Sequence, residues 1–300
     1  MDDNKKPRKF NIWMLFSILF FVAALVLIGI FIKTMIDQKN RADHMSELVN
    51  SGAIIESKPI EQTPEPSVSS TPEVVESTEV IVTPEPEDPY DKSIRLAQEA
   101  GVPLPEFTVD IQQLQETENP EIYAWIYVPG TKVNYPVLQH PADDTYYLNY
   151  NIDGTKGYPG CIYTESMYNS KTFWDANTVL YGHNMKNGTM FGSLHKYEDP
   201  EFFEENRYIY VFTQERLFVY KIFAAYDHSN EHLLFNHNFA STDSFLHYFE
   251  KVKEGRNMHR IFADDVELTG EGQHIITLST CINNKPENRF LVQGVLINEE

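Results

Sequence analysis

The sequence predicts a mainly β domain with added helices, folded as a closed or nearly closed barrel and preceded by one transmembrane helix. Three observations carry that reading. After Pro120 the chain breaks into eight short segments rich in Val, Ile, Tyr and Phe and separated by turn residues, the texture of half-buried strands. Phe245, Phe249 and Val252 mark one helical face among the later strands. An uncharged, almost wholly apolar run covers residues 10–32.

That run is the first element. At about 1.5 Å per residue it spans roughly 34 Å as a helix, enough to cross a bilayer core. A cleaved signal peptide would have a shorter apolar region and a small-x-small cleavage site, and Phe31-Ile32-Lys33-Thr34-Met35 offers none. Lys5, Lys6, Arg8 and Lys9 crowd its N-terminal side, while Lys33, Lys39 and Arg41 are dispersed on the other. The positive-inside rule then makes residues 1–9 a cytoplasmic tail, 10–32 the membrane helix, and everything beyond external.

Residues 33–50 are polar with weak helical character and read as a juxtamembrane stub. From 51 to 89 the composition shifts to Pro, Glu, Ser, Thr and Val, with Thr-Pro-Glu recurring at Thr63, Thr71 and Thr83. Such a segment buries too little surface to offset chain entropy, and its like charges extend it. Together 33–89 are expected to form a disordered stalk. The formal net charge of −20, much of it here, argues against nucleic acid as a partner.

Residues 90–300 form the globular domain. A short helix over 91–100 ends at Gly101, and a second is expected over 109–116 with Ile111, Leu114 and Val109 on its apolar side. Strands follow at 124–128, 133–138, 161–164, 178–181, 208–213, 217–226, 274–278 and 290–297. The helix among them spans 241–255, with Ser241 or Thr242 as N-cap and Gly255 as stop. Eight strands with few helices point to the barrel.

Three strand ends carry reactive side chains. One apolar strand runs out at Cys281, another at Gly182 and His183, and Arg289 opens the last. A thiol with a pKa near 8.5 needs a base or a positive environment to act as a nucleophile. His183 can supply the proton transfer, and Arg289, which stays charged, suits an oxyanion or a substrate carbonyl. Cys281 and Arg289 flank the loop 282–288, so they approach each other if the flanking strands pair. Singly, each residue has an ordinary explanation: a buried small side chain, one of ten histidines, a surface charge. Of the two cysteines, Cys161 and Cys281, a single bridge remains open at this level.

The combination is more specific. Thr277-Leu278-Ser279-Thr280-Cys281 with Arg289 eight residues on, and Tyr181-Gly182-His183-Asn184-Met185 upstream, closely resembles the sortase signature, class B in particular. Asn119-Pro120-Glu121-Ile122, Trp125-Ile126-Tyr127-Val128-Pro129-Gly130-Thr131, Asn134-Tyr135-Pro136-Val137, Tyr146-Tyr147-Leu148-Asn149 and Met190-Phe191-Gly192-Ser193-Leu194 match in consistent order over roughly 90–300.

The resemblance implies an eight-stranded barrel with N-terminal helices and the long helix at 241–255. It implies that Cys281 attacks the Thr carbonyl of a C-terminal sorting signal on surface proteins, of Asn-Pro-x-Thr type. The acyl group then passes to an amine of a peptidoglycan precursor or crossbridge, or to a pilin lysine in assembly-type members. His183 would act as general acid and base and Arg289 as the cationic stabiliser. Ser279, Thr280 and Tyr181 match motif positions close to the site, and Leu148 would line the substrate groove. A cell envelope of Gram-positive type is the implied location. Ile282 departs from the polar residue often found after the nucleophile. Cys161 stands where relatives carry another small residue, which favours a buried free thiol over a bridge.

No cofactor or metal is expected, since no paired Cys-x-x-Cys or His-x-x-x-His spacing occurs in a suitable context and 235–238 reads as a polar loop. The segment 226–239 is expected to be a loop that helps set specificity. Two other functional classes fit parts of the pattern. A non-catalytic binding module on a stalk has no reason to assemble Cys281, His183 and Arg289, and a hydrolysing cysteine protease would form no adduct with an added amine.

Overall fold

The computed structural model describes residues 12–48, 54–56, 87–255 and 259–299. The chain divides into two units, Met1–Met45 and Ser46–Glu300. The first is carried by α1 (Ile12–Glu47). Within it Phe16–Arg41 has a mean hydropathy of 2.6 and none of it is buried, so the helix is long and apolar enough to cross a membrane. Helix continues past 32 through the segment read as a stub, because 33–47 contains neither Gly nor Pro to stop it. The expected tail at 1–9 lies outside the described residues.

The second unit opens with a short antiparallel pair, β1 (Ile54–Glu56) and β2 (Phe107–Val109), in which Ile55 faces Thr108. Residues 54–56 were expected to be unstructured with the rest of 51–89. The β-branched pair Ile54-Ile55 gives this one point a strand preference that the surrounding composition conceals. The expected stalk residues 57–86 lie outside the described residues. Helix α2 (Pro89–Glu99) has Pro89 in its first turn and Asp88 as N-cap, accepting from the Tyr90 and Asp91 amides. Helix α3 (Ile111–Thr117) starts later than expected: Asp110 caps it, so Val109 ends a strand instead of opening a helix.

The remaining strands are β3 (Ile122–Tyr127), β4 (Asn134–Leu138), β5 (Ile162–Tyr163), β6 (Asn177–Tyr181), β7 (Tyr208–Phe212), β8 (Leu217–Ser229), β9 (Arg260–Phe262), β10 (Ile275–Ile282) and β11 (Lys285–Leu296). Going round the sheet the order is β11, β10, β6, β5, β4, β3, β7, β8, and β8 pairs back onto β11. That last ladder closes an eight-stranded barrel. Closure removes the exposed edges that an open sheet would present. β9 sits outside the ring, paired with Ala224–Tyr226 on the later half of β8.

Two short helices, α4 (Tyr146–Asn149) after β4 and α5 (Pro200–Glu205) before β7, were not expected. All eight expected strands are present. Three run further than expected at the same rim: β8 to Ser229, β10 to Ile282, and β11 back to Lys285. The supposed loop 226–239 therefore opens with strand as far as Ser229 and then carries the short α6 (Leu233–Asn236), and most of 282–288 is strand. The polar residues there read as loop in sequence, but β8 and β11 hold each other through Asn288↔Ser229 and Arg289↔His228.

The long helix is α7 (Thr242–Glu254), with Ser241 as N-cap and Gly255 at its C-terminus, as expected. Phe245, Tyr248 and Phe249 are buried in a cluster with Phe223 and Tyr226 of β8, Ile275 of β10, and Leu291 and Val295 of β11. Each fully buried aromatic or aliphatic side chain contributes roughly 1.5–3 kcal/mol. The cluster thus braces the strands that carry the functional rim.

Candidate active site

Strand register determines what meets at the rim. β6 and β10 run parallel, with Tyr181 opposite Ser279 as their last pair. The ladder is extended by Gly182 N–H donating to Ser279 O at 3.2 Å. Two residues further along each chain stand His183 and Cys281. On the other side of β10, in the antiparallel ladder with β11, Cys281 faces Arg289 directly. Cys281 therefore has Arg289 as its cross-strand partner, while His183 follows the end of the β6 ladder on its other side. Just beyond, the ladder shifts register between Cys281 and Ile282, and β10 leaves the buried barrel. The strand is buried from Ile275 to Thr280, and the thiol is exposed.

The three side chains line one groove of about 370 Å³ together with Leu148, Tyr163, Glu165, Tyr181, Ser279 and the segment 228–233. A more open depression of about 510 Å³, bounded by 167–169 and 234–240, contains no nucleophile. Cys161 is buried away from the groove, free, with its Sγ 3.6 Å from Tyr150 O, and burial pushes its thiol pKa far up. The two thiols are unbridged.

The hydrogen bonds of these side chains run to main-chain carbonyls. His183 Nε2 is 2.8 Å from Leu148 O and donates to it, which leaves Nδ1 as the nitrogen free to exchange a proton. The imidazole also leans on the Tyr158 ring, centroids 4.8 Å apart. Arg289 Nη1 donates to Pro286 O and Asn288 O, both at 3.0 Å. No protein partner takes its remaining N–H groups among the described residues.

The other expected contact residues have distinct surroundings. Leu148 is exposed over the groove through its side chain while its carbonyl steadies His183. Ser279 is buried beneath Cys281, and its hydroxyl has no protein partner among the described residues. Thr280 Oγ1 instead donates to Gly182 O at 2.8 Å, tying the end of β10 to the end of β6. Tyr181 stacks on Tyr163 and is hydrogen-bonded to Glu165, and burial, then Glu165, raises its phenol pKa.

Two groups around the site were given no role by the sequence reading. Asn184 Nδ2 donates to Cys281 O at 2.8 Å and faces His195 Nε2 at 3.0 Å. His195 Nε2 is itself 3.0 Å from Cys281 O, and its Nδ1 bonds Glu198 at 2.6 Å. This chain fixes the carbonyl of the cysteine from behind. On the far wall, Glu165 accepts from His232 Nε2 at 2.6 Å, and burial raises the carboxyl's pKa against the pull of that histidine. Asn184 was legible as part of a motif; Glu165 and His195 lie in segments with no reactive pattern, and only folding brings them in.

Comparison with known proteins bears on the family and the fold. A family profile described as the sortase domain matches residues 126–297. Sortase B of Listeria monocytogenes is 32% identical over 192 residues, covering 63% of this chain and 74% of the relative. Among solved structures, sortase B from B. anthracis in complex with AAEK1 aligns with a TM-score of 0.54 at 32% identity, covering 64% of this chain and 85% of that one. Clostridium perfringens sortase B aligns with a TM-score of 0.53 at 28% identity, covering 62% and 98% respectively. Profile, relatives and barrel topology agree: the chain belongs to the sortase family, the cysteine transpeptidases, and resembles its class B members.

Proposed function

We propose that the chain is a membrane-anchored transpeptidase that cleaves a C-terminal sorting signal after Thr and transfers the released protein to an amine of the cell wall. The observation that carries this reading is the double register at Cys281, with His183 beyond the parallel β6 ladder and Arg289 opposite in β11.

The chemistry follows from those neighbours. Cys281 Sγ, as thiolate, attacks the Thr carbonyl and forms a tetrahedral oxyanion. The free N–H groups of Arg289 face that developing charge, where a preformed donor is most effective. His183, protonated on both nitrogens with Nε2–H held by Leu148 O, gives its Nδ1 proton to the leaving amine as the C–N bond breaks. An acceptor amine then attacks the thioester, His183 Nδ1 takes its proton, and the thiolate leaves with a new amide formed. Leu148, Tyr181, Ser279 and Thr280 form the bed for a signal of Asn-Pro-x-Thr type. The exposed apolar helix α1 supports a single-pass anchor, with residues 1–9 inside, a stalk to about residue 89, and the domain from 90 onward outside.

Full-length protein in detergent, incubated with fluorogenic sorting-signal peptides with and without a small amine, tests this. Cleavage after Thr, an amine adduct by mass, and loss of both in Cys281→Ala are expected. Cleavage without adduct formation at any amine concentration would make it a hydrolase instead.

A further inference from the structure

The wall of the groove beyond Arg289 is built by the end of β8, the turn after it, and α6. Three potential ligands converge there. His228 lies on β8 as the direct cross-strand partner of Arg289. Glu231 is in the turn, and His237 follows α6. Glu231 Oε1 is 3.6 Å from His228 Nε2 and 3.4 Å from His237 Nε2, and ligand atoms of all three lie within 4.8 Å of one another. A tetrahedral zinc ion with bonds near 2.0–2.1 Å separates its ligands by roughly 3.3–3.4 Å. Two of the three edges already have nearly that length.

The rings are prepared for the task. His228 Nδ1 donates to Ser229 O at 2.9 Å, so Nε2 carries the lone pair that faces Glu231. The α7 ring of Tyr248 buttresses both imidazoles, with centroids 4.7 Å from His237 and 6.0 Å from His228. The Glu231 side chain is exposed, so the cluster is open to solvent on that side. Lys251 and Arg260 line the outer side of the same depression, with Arg260 Nη1 donating to Val252 O and Gly255 O. Two imidazoles and one carboxylate suit borderline metals over Mg²⁺ or Ca²⁺, which favour all-oxygen sites.

We propose that His228, Glu231 and His237 form a site for a divalent transition-metal ion of the zinc type, whose occupancy stiffens the wall of the groove. The ion would join β8, the turn and the residue after α6, and so fix the groove-lining Ser229, Asn230, His232 and Leu233 between them. Asn230 extends the link to the bulge beside Arg289, its N–H donating to Glu287 O at 2.9 Å and its Nδ2 to Glu287 Oε2 at 2.8 Å. The binding site stands on its own geometry; only its bearing on substrate rests on the transpeptidase reading.

The test uses tag-free full-length protein in detergent carrying Cys281→Ala, so the groove thiol cannot capture zinc and activity plays no part in the readout. Equilibrium dialysis against Zn²⁺ with elemental analysis should give one ion per chain, with Mg²⁺ not competing. Adding Glu231→Gln or His237→Asn should weaken binding at least about tenfold. Both variants should keep the parental circular dichroism and Tm in chelator. Zinc should also slow amide exchange over 229–237 in the parent and in neither variant. No bound zinc, or parental affinity in both variants, overturns the site. Binding lost in the variants without any exchange protection in the parent overturns the stiffening.

Discussion

Gly182 stands between Tyr181, the last β6 residue paired with β10, and His183. A Cβ built there would lie 2.5 Å from Ile162 Cδ1 and 2.8 Å from Cγ and Cδ2 of Phe191, against ordinary contacts that begin at 3.4 Å. Ile162 and Phe191 are wholly buried, so neither can swing into solvent. Relief in Gly182→Ala therefore requires a main-chain shift approaching 1 Å at the residue that aims His183. Overpacking of this kind costs about 1–3 kcal/mol. For a domain of this size that is a fall in Tm of roughly 2–10 °C. A misplacement of about 1 Å in a reacting group lowers turnover by up to about 100-fold. The assay is kcat/KM for transpeptidation of a sorting-signal peptide, beside the Tm of the same preparation. Adding Ile162→Val removes the nearest methyl and should restore part of both losses. If Gly182→Ala keeps kcat/KM within about twofold and Tm within about 1 °C, packing at the end of β6 is not what positions His183.

Three further outcomes are expected. Asn184→Ala removes the 2.8 Å bond to Cys281 O, and at about 1 kcal/mol should lower kcat/KM about threefold to tenfold; unchanged kinetics would deny the amide a positioning role. Lys221 and Arg207 hold the Asp265 carboxyl down at about 2, so the unfolded chain takes up this proton first as pH falls. The stabilisation is present above pH 3.8 and is lost on the way to about pH 2. Asp265→Asn should thus be less stable at pH 7 by roughly 1 kcal/mol, screening by solvent included, with the gap closing in acid. A difference that stays constant from pH 7 to pH 2 would contradict the pairing. Finally, an alkylating thiol reagent should modify Cys281 of the native protein and reach Cys161 only after denaturation; early double labelling by mass would show that the interior site is open.

What the sequence disclosed followed from periodicity and motif. The longer barrel strands and α7 carry apolar patterns, α2 and α7 have clear caps or stops, and β5 was legible only from its apolar residues between turns. Among the unforeseen elements are the three-residue strands β1, β2 and β9 and the short helices α4, α5 and α6, too short for a period to register. Polar rim segments such as Lys285-Pro286-Glu287-Asn288 and His228-Ser229 resemble loops because their order comes from the partner strand and not from their own preferences. The convergence of Cys281, His183 and Arg289 on one groove could be expected from motifs, but their supports could not. Leu148 enters through its carbonyl, which no side-chain pattern records, and Glu165 and His195 are brought in only by the closure of the barrel. The grouping of His228, Glu231 and His237 was hidden in the same way, since its spacing matches no common metal motif and α6 is what folds His237 back.

The two ladders at Cys281 tolerate very different changes in chain length. Between Cys281 and Arg289 the register slips, since Cys281 faces Arg289 while the next residue, Ile282, faces Lys285. Pro286, Glu287 and Asn288 have thus already dropped out of the β10 ladder, and lengthening or shortening the hairpin tip should leave both residues where they are. The parallel side has no such slack. A single residue gained or lost between Tyr181 and His183, or between Ser279 and Cys281, turns the following side chain to the opposite face. Relatives of this chain can therefore be expected to vary freely in the hairpin, yet to keep two-residue spacing from the last β6–β10 pair on both strands.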